Sequence, residues 1–229
     1  MNQTIEKVLA AIELGPVQQF GELAVLPIVT AAKPLFAYVS LGEALGAGTL
    51  VIGEVSEGGS VPQLTVANSG GAPVLLVDGE ELVGAKQNRV LNASTMVPAK
   101  SSLVLPVSCT EVGRWRHVSR VFADSGVVAA QSVRRKKSLS VQRGLEHGML
   151  FRSDQGEVWD DIEKLQARSG TSSATGAMRD AFAAHERTLE ECVASIPLLD
   201  GQVGMVALFG DKVVGLDLVS RPEVYAALH

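Results

Sequence analysis

At 229 residues, with 46% hydrophobic residues and a positive mean hydropathy, the chain has ample material for a buried core and reads as a single domain over residues 1–229. A net charge of −5 and a pI near 5.4 lack the basic footprint of a nucleic-acid binder, and 4% aromatic residues leave too few rings for a base-stacking platform. Cys109 and Cys192 lie too far apart, with no Cys-x-x-Cys pair, for a disulfide framework or zinc knuckle, and both read as buried thiols. The opening "MNQTIEKVLAAIELG" lacks the basic head and long apolar run of a secretion signal, and no segment reaches the roughly 18 apolar residues of a membrane span. A cytoplasmic location is expected, with neither membrane nor nucleic acid as partner.

Ile5, Val8, Leu9 and Ile12 recur at helical spacing behind Thr4 as a cap, with Gly15-Pro16 as the stop, which predicts a short first helix. From Leu23 to about Val107 the texture changes to short β-branched runs punctuated by turn residues, the pattern of an antiparallel sheet system and of a sandwich. "SLGEALGAG", Ser40–Gly48, interrupts it with a helical turn or two. Asp78-Gly79 between apolar runs predicts a two-residue type I′ hairpin in which Val77 faces Glu80 and Leu76 faces Glu81. Arg89 to Val97 reads as one further strand.

The second half is helical in texture. A first segment begins near Asp124 or Ser125 as cap and contains Arg134-Arg135-Lys136-Lys137, read as a solvated helix surface because four consecutive positions spread around the axis. A second starts at Ser153-Asp154, carries Val158, Trp159, Ile162 and Leu165 on one face and stops at Gly170; a third runs as one stripe from Met178 to Ile196 before Pro197. A hairpin over Gly210-Asp211 follows, and Ser220 with Glu223 makes a capping-box pattern for a last helix. That helix ends after scarcely two turns, which suggests a parent sequence that continues. The fold class is therefore α+β, with an antiparallel, sandwich-like first half, helices after it, a C-terminal hairpin plus helix, and a subdomain seam near Ala123.

Standard chemistries fail on spacing. In "VDGEELVGAKQNRVLN", Val77–Asn92, the lysine stands one position late for a phosphate loop and leads into a strand instead of a helix. Gly46-Ala47-Gly48 has Val51 where a dinucleotide fingerprint needs its third glycine. His117, His147, His185 and His229 are scattered with no metal-ligand spacing, no Gly-x-Ser-x-Gly elbow occurs, and no cofactor is expected. What remains is three polar clusters: Glu80, Glu81, Lys86, Gln87, Asn88, Arg89 and Asn92; then Cys109, Glu111, Arg114, Trp115 and Arg116; then Asp154, Gln155 and Trp159. Asn, Gln and Glu supply directional donors and acceptors, and Arg pairs bidentately with carboxylate or phosphate. The same residues equally make an internal hydrogen-bond and ion-pair network, with the two tryptophans as packing anchors.

The segments "DGEELVGAKQNRVLNASTMVPAKSSLVLPVSCTEVGRW", "SDQGEVWDDI", "SATGAMRDAF" and "VGLDLVSRPE" resemble a bacterial family, the ADP-ribosylglycohydrolase- and rhodanese-phosphatase-associated protein domain. The resemblance runs from about Leu41 to the end, and its first segment is the most specific part. The family pattern maps onto Gly79, Glu80, Glu81, Gly84, Gln87, Asn88 and Arg89, then Cys109, Glu111, Gly113, Arg114 and Trp115, then Gln155 and Trp159; Lys86 is a position where variation is expected. The resemblance implies association with proteins of NAD and ADP-ribose metabolism, and hence a small anionic, nucleotide-like ligand. On that reading Arg89 and Arg114 bind its phosphate or carboxylate, Gln87 and Asn88 orient a sugar or base, Glu111, Trp115 and Gln155 complete the site, and Glu81 is the candidate general base. The rival reading makes the same residues the internal lock of an interaction or structural module. The outcome turns on whether they line an accessible cleft or lie buried against one another.

Overall fold

Along "QLTVAN", Gln63–Asn68, burial alternates residue by residue, with Leu64, Val66 and Asn68 inside and the residues between them exposed, the imprint of a period-2 strand with one covered face. The computed structural model describes residues 3–229, and the elements follow in chain order. They are α1 (Gln3–Ala10), β1 (Ile12–Leu14), β2 (Gln18–Phe20), β3 (Leu23–Thr30), β4 (Val39–Ser40), α2 (Leu41–Gly46), β5 (Leu50–Glu54), β6 (Gln63–Asn68), β7 (Val74–Leu76), β8 (Glu80–Gly84) and β9 (Arg89–Leu91). After them come β10 (Thr95–Val97), β11 (Ser101–Cys109), β12 (Phe122–Val128), α3 (Gln131–Glu146), α4 (Gln155–Ser169), α5 (Arg179–Ala183), α6 (Glu186–Ser195), β13 (Gln202–Phe209), β14 (Lys212–Leu218) and α7 (Pro222–Leu228). This is the α+β arrangement expected, with strands mainly in the first half, helices after them, and a closing hairpin plus helix.

Two compact units divide these elements: residues 38–185 form one, and the chain up to Ala37 together with Glu186–His229 forms the other. The second is built on an antiparallel sheet in the order β1-β3-β13-β14, with β2 also paired to β3. Because β3 pairs with β13, the two ends of the chain close one sheet. Gln202 anchors it: its side-chain amide donates to Gly204 O at 3.0 Å and to the Tyr225 hydroxyl on α7 at 3.3 Å.

In the 38–185 unit a six-stranded antiparallel sheet, β12-β8-β9-β11-β6-β5, shares one core with a three-stranded sheet, β10-β7-β4, whose β4–β7 pair is parallel. Ile52, Leu64, Val66, Leu82, Leu91, Leu105 and Phe122 from the first meet Val74, Leu76 and Val97 from the second, which makes the expected sandwich. The other face of β9 is covered as well. Val90 packs with Ala129, Val133, Val158, Ile162 and Met178, supplied by α3, α4 and the residues before α5. Strand β9 and the first three residues of β8 are therefore buried on both faces, and every polar side chain on them needs a partner inside the protein.

Several local expectations are corrected. Helix α1 already contains Thr4 and ends at Ala10, and Ile12 belongs to β1. The Asp78-Gly79 turn exists, with Glu80 N–H donating to Val77 O at 3.1 Å, but β7 and β8 enter different sheets and do not pair. Only Gly79 has positive φ, at 91°, so the turn has the type II pattern, and its backbone N–H goes to Leu91 O while its carbonyl accepts from Ala129 N. Arg89 to Val97 splits into β9 and β10 in separate sheets. Asp124 and Ser125 lie in β12, so α3 begins after Ala130 with no side-chain cap. The stripe from Met178 breaks into α5 and α6, and α7 is capped by the Arg221 backbone position in place of Ser220. Lys137 is not solvated: it is fully buried and pairs with Asp78, which also accepts from Ser138 and faces Arg134. One turn of α3 thus packs onto the Asp78-Gly79 turn, and Asp154 and Gly170 cap α4 as expected.

Gly79 carries that junction. A Cβ there would sit 2.6 Å from Arg134 Cδ on a backbone at φ +91°. Gly79→Ala is expected to lower the free energy of unfolding by about 1–3 kcal/mol, read from the urea midpoint at unchanged m-value; a midpoint equal to the parent's would show that the turn is not strained.

Candidate functional site

The crossing from β8 to β9, residues 84–88, is a conformational bottleneck. Gly84 has φ +123° and Ala85 has φ +38°, a left-handed backbone that a residue with a Cβ adopts only when its surroundings hold it there. Arg114 holds it. Its Nη1 donates to Ala85 O at 2.8 Å and to Arg116 O at 3.2 Å, and its Nη2 donates to Gly84 O at 3.3 Å and to Asn88 Oδ1 at 3.0 Å. Its Nε donates to Glu111 Oε2 at 2.8 Å, where Nη2 also lies at 2.6 Å. Ser119 Oγ accepts the Ala85 N–H from the other side at 2.8 Å.

Glu111 completes this network. Its Oε2 accepts the Asn88 backbone N–H and its Oε1 accepts from Thr175 Oγ1 at 2.8 Å. Burial would raise the Glu111 carboxyl, but Arg114 and Thr175 outweigh it and hold the pKa below its usual value. Glu111, Asn88 and Arg114 are all buried, and Arg114 has no donor left over for a ligand.

A second network lies on the opposite face of the same strands. Arg89, paired in register with Leu82 and Cys109, is 0% exposed; its Nη1 donates to Gln87 Oε1 at 3.0 Å and to Cys109 Sγ at 2.8 Å, and its Nη2 lies 3.8 Å from Glu54 Oε1. Trp115 covers this pair from outside, half exposed, with Arg89 Cζ at 5.7 Å and Lys86 Nζ at 5.4 Å from its ring centre. Burial pushes the Cys109 thiol up to about 11, so at neutral pH it is a packed thiol and not a nucleophile. Gln155, at the start of α4, takes the Cys109 backbone N–H on its Oε1 at 2.7 Å and returns its Nε2 to Cys109 O at 2.9 Å, a side-chain imitation of strand pairing that fixes α4 to the end of β11.

Glu80 and Glu81 face opposite ways. Burial raises the Glu80 carboxyl to about 8 against the Val77 N–H it accepts at 2.5 Å, with Asp124 adding to the rise, so it locks the turn. Glu81, fully buried, stands opposite a bulge in β12 between Asp124 and Val128. Its Oε1 accepts from Thr110 Oγ1 at 2.6 Å, while Oε2 has no hydrogen-bond partner. Burial raises its pKa to about 7 against the pull of Thr110, Arg179 and Ser125, with Glu111 pushing it further up. Ser125 is close enough to exert that influence, yet its hydroxyl makes no hydrogen bond to Oε2.

A cleft of about 590 Å³ runs between α3 and α4, away from the expected site residues, and another lies next to the first network. The second, of about 580 Å³, is lined by Val83, Gly84, Asn88, Glu111, Arg114, Val118, Ser119, Val121, Phe122, Ala123, Thr175, Ala177, Arg179 and Asp180. Of the expected site residues, Asn88, Glu111 and Arg114 reach it; Glu81, Gln87, Arg89, Trp115 and Gln155 do not line it. Arg179, missed from sequence, does. It is exposed, and among the described residues its side chain makes no hydrogen bond or contact ion pair. Its signal was faint: it follows Met178 inside "SATGAMRDAF", where the apolar stripe drew attention instead. Asp180 beside it accepts from Ser173 Oγ at 2.5 Å. Among the described residues no group of His, Cys, Asp and Glu has metal-holding geometry, and no helix is long and apolar enough to cross a membrane.

Comparison with known proteins places residues 11–229 within the sequence model of one family, the ARG and Rhodanese-Phosphatase-superfamily-associated Protein domain. Neither the curated proteins nor the solved structures contain a match.

Two stability measurements follow from the networks. Arg114→Ala leaves the Glu111 carboxylate buried without its cation and frees the strained crossing, and is expected to cost about 3–5 kcal/mol in chemical denaturation; Arg114→Lys, lacking the planar fork, restores only part. A cost within 0.5 kcal/mol would mean the crossing does not depend on it. Because the folded Glu81 pKa of about 7 lies above its ordinary 4.5, its neutral form is favoured on folding: stability is greatest below about 4.5, falls as pH rises to 7, and stays low above. Glu81→Gln should therefore raise stability at pH 8 by about 3 kcal/mol and leave it unchanged near pH 4; a gain of equal size at both pH values would refute the assignment.

Proposed function

The chain belongs to the ARG and Rhodanese-Phosphatase-superfamily-associated Protein domain family, and on that footing we propose that it binds a small anionic, nucleotide-like metabolite of NAD or ADP-ribose metabolism in the cleft beside the Arg114 network. One observation carries this reading: an exposed arginine without a hydrogen-bond partner, Arg179, shares a cleft of about 580 Å³ with Asn88 and Thr175. That volume suits a small molecule, and the lining has the expected character, with an apolar wall of Val83, Val118, Val121 and Phe122 and a few directional groups. The Arg114–Glu111 pair serves as a rigid floor and presents Asn88. Gln87, Arg89, Trp115 and Gln155 support that floor from behind. Glu81 is fully buried and does not line the cleft, so the role proposed is binding.

The second reading, a structural or interaction module, is favoured by the saturation of Arg114, whose every donor is used within the protein. Calorimetric titration separates the two. The parent protein is expected to bind ADP-ribose or NAD with a millimolar or better dissociation constant, and Arg179→Ala to weaken binding about tenfold, the worth of one charge-assisted hydrogen bond, at unchanged melting temperature. No heat from any of these metabolites at millimolar concentration would sink the metabolite reading and leave the module.

A further inference from the structure

Asn88 lines the cleft at 5% exposure, and its side-chain amide is held by one atom only. Its Oδ1 accepts from Arg114 Nη2 at 3.0 Å and from Gly84 N at 3.4 Å, while its backbone N–H goes to Glu111 Oε2 and its carbonyl accepts from Thr110 N. Both groups that face Oδ1 are donors, so the amide cannot turn over without setting N–H against N–H. The nitrogen is thereby fixed as the outward atom. Among the described residues Nδ2 makes no hydrogen bond, and it does not number among the sealed side-chain atoms that lack one, so it is open to the cleft. The other polar side chains of the lining are committed or charged. Ser119 Oγ accepts from Ala85 N and donates to Val121 O, Thr175 Oγ1 donates to Glu111, and Glu111 and Arg114 are spent on each other and on the crossing. Arg179 is exposed, and Asp180 beside it uses one oxygen on Ser173. Two apolar lining residues are left uncovered, Val118 at 57% and Val121 at 48% exposure. Among the described side chains of the lining, the one neutral group still open is therefore an N–H donor.

We propose that Asn88 selects the cleft's ligand by polarity: a ring that ends in a carbonyl oxygen enters against Nδ2 while the ligand's anionic group stays with Arg179, and a ring that ends in an amino group is disfavoured. The inference rests on the reading of the cleft as a metabolite site and names the class that this site takes. A compact anion loses hydration on burial, so it belongs with the exposed guanidinium. The neutral ring belongs inside, where it covers Val83, Val118, Val121 and Phe122. Its leading edge then meets the amide nitrogen of a residue that is more than nine-tenths buried. A carbonyl oxygen accepts from that nitrogen and satisfies it. An amino group sets two donors face to face, and Arg114 and Gly84 keep the amide from turning over to receive it. Within the dinucleotides of the proposed class, the carboxamide oxygen of the nicotinamide ring qualifies and the amino edge of adenine does not.

The test uses inosine and adenosine monophosphate, which share sugar and phosphate and differ in whether one edge of the ring carries a carbonyl oxygen or an amino group. Calorimetric titration of the full chain is expected to show the inosine compound binding about tenfold tighter, the worth of one hydrogen bond made in place of two opposed donors. Asn88→Asp keeps an oxygen for Arg114 and Gly84 and turns the outward atom into an acceptor. Its added charge weakens both ligands alike, so the ratio of affinities is read, and that ratio should reverse to favour the adenosine compound. Asn88→Ala should abolish the preference, whereas Arg179→Ala should weaken both compounds and leave the preference intact. The parent's own ratio needs no variant and decides the matter even where a variant fails to fold. A parent that treats the two compounds alike or favours the adenosine one, a preference that survives Asn88→Ala, or binding of ADP-ribose with neither monophosphate each overturns the selection and leaves the cleft reading standing. No binding of the two monophosphates or of ADP-ribose at millimolar concentration overturns both.

Discussion

The structure depends on one constraint: β9 and the first three residues of β8 are covered on both faces. The sandwich core lies on one side, through Leu82 and Leu91, and the helix-covered core on the other, through Val90. A polar side chain placed there cannot turn to water, so each must find its partners within the protein or remain neutral. That requirement explains why Arg89 turns to Gln87 and Cys109 and lies 3.8 Å from Glu54, with its Nε and Nη2 left without a hydrogen bond, and why Glu80 and Glu81 have raised pKa values. It also accounts for the bend in the chain. Ala85 can remain at φ +38° because Arg114 and Ser119 bind both its carbonyl and its N–H.

Much of this was legible in the sequence. Alternating runs located the strands, Asp154 and Gly170 marked the ends of α4, and the segment from Asp78 to Trp115 stood out because it placed Glu, Gln, Asn and Arg where a half-exposed strand carries apolar residues on one face. Pairing was less legible. Asp-Gly between apolar runs suggests a hairpin, yet a two-residue turn fixes only the local reversal, and here the strands on either side are claimed by different sheets. Asp124-Ser125-Gly126 imitates a helix start because the residues that make caps also make bulges; Asp124 Oδ1 accepts the Gly126 N–H at 2.9 Å within a strand. The RRKK run misled for a related reason. Periodicity spreads four cations around a helix, but it does not say which of them meets a carboxylate from elsewhere in the chain, as Lys137 meets Asp78.

The candidate site was legible in composition and illegible in depth. Arg89 and Arg114 have the same residue type and similar neighbours in sequence, and either could have faced a ligand. The burial of Arg89 follows from its register position, paired with Leu82 and Cys109 on the sandwich side, whereas that of Arg114 follows from the turn after β11, which lays it against the 84–88 crossing. Arg179 shows the converse. Nothing in its immediate sequence marks it, and its position at the cleft comes from the bridge that joins Glu111 to Ala177 and the bond from Gly113 N to Thr175 O, which lay the segment before α5 along the end of β11.

Glu80 and Glu81 are adjacent residues with similar burial and raised pKa values, and the difference between them is the closing point. Glu80 meets a backbone N–H and a repelling aspartate, a fixed environment in which its proton serves only the turn. Glu81 meets a hydroxyl on one carboxylate oxygen and has no hydrogen-bond partner on the other. A strand whose side chains alternate faces therefore separates an acid held by the turn from one with an unpartnered oxygen with a single step along the chain. The bulge in β12 makes the second environment: without the extra residues opposite Glu81, a regular ladder neighbour would stand where Ser125 stands, and the carboxylate would lie against strand backbone on that side.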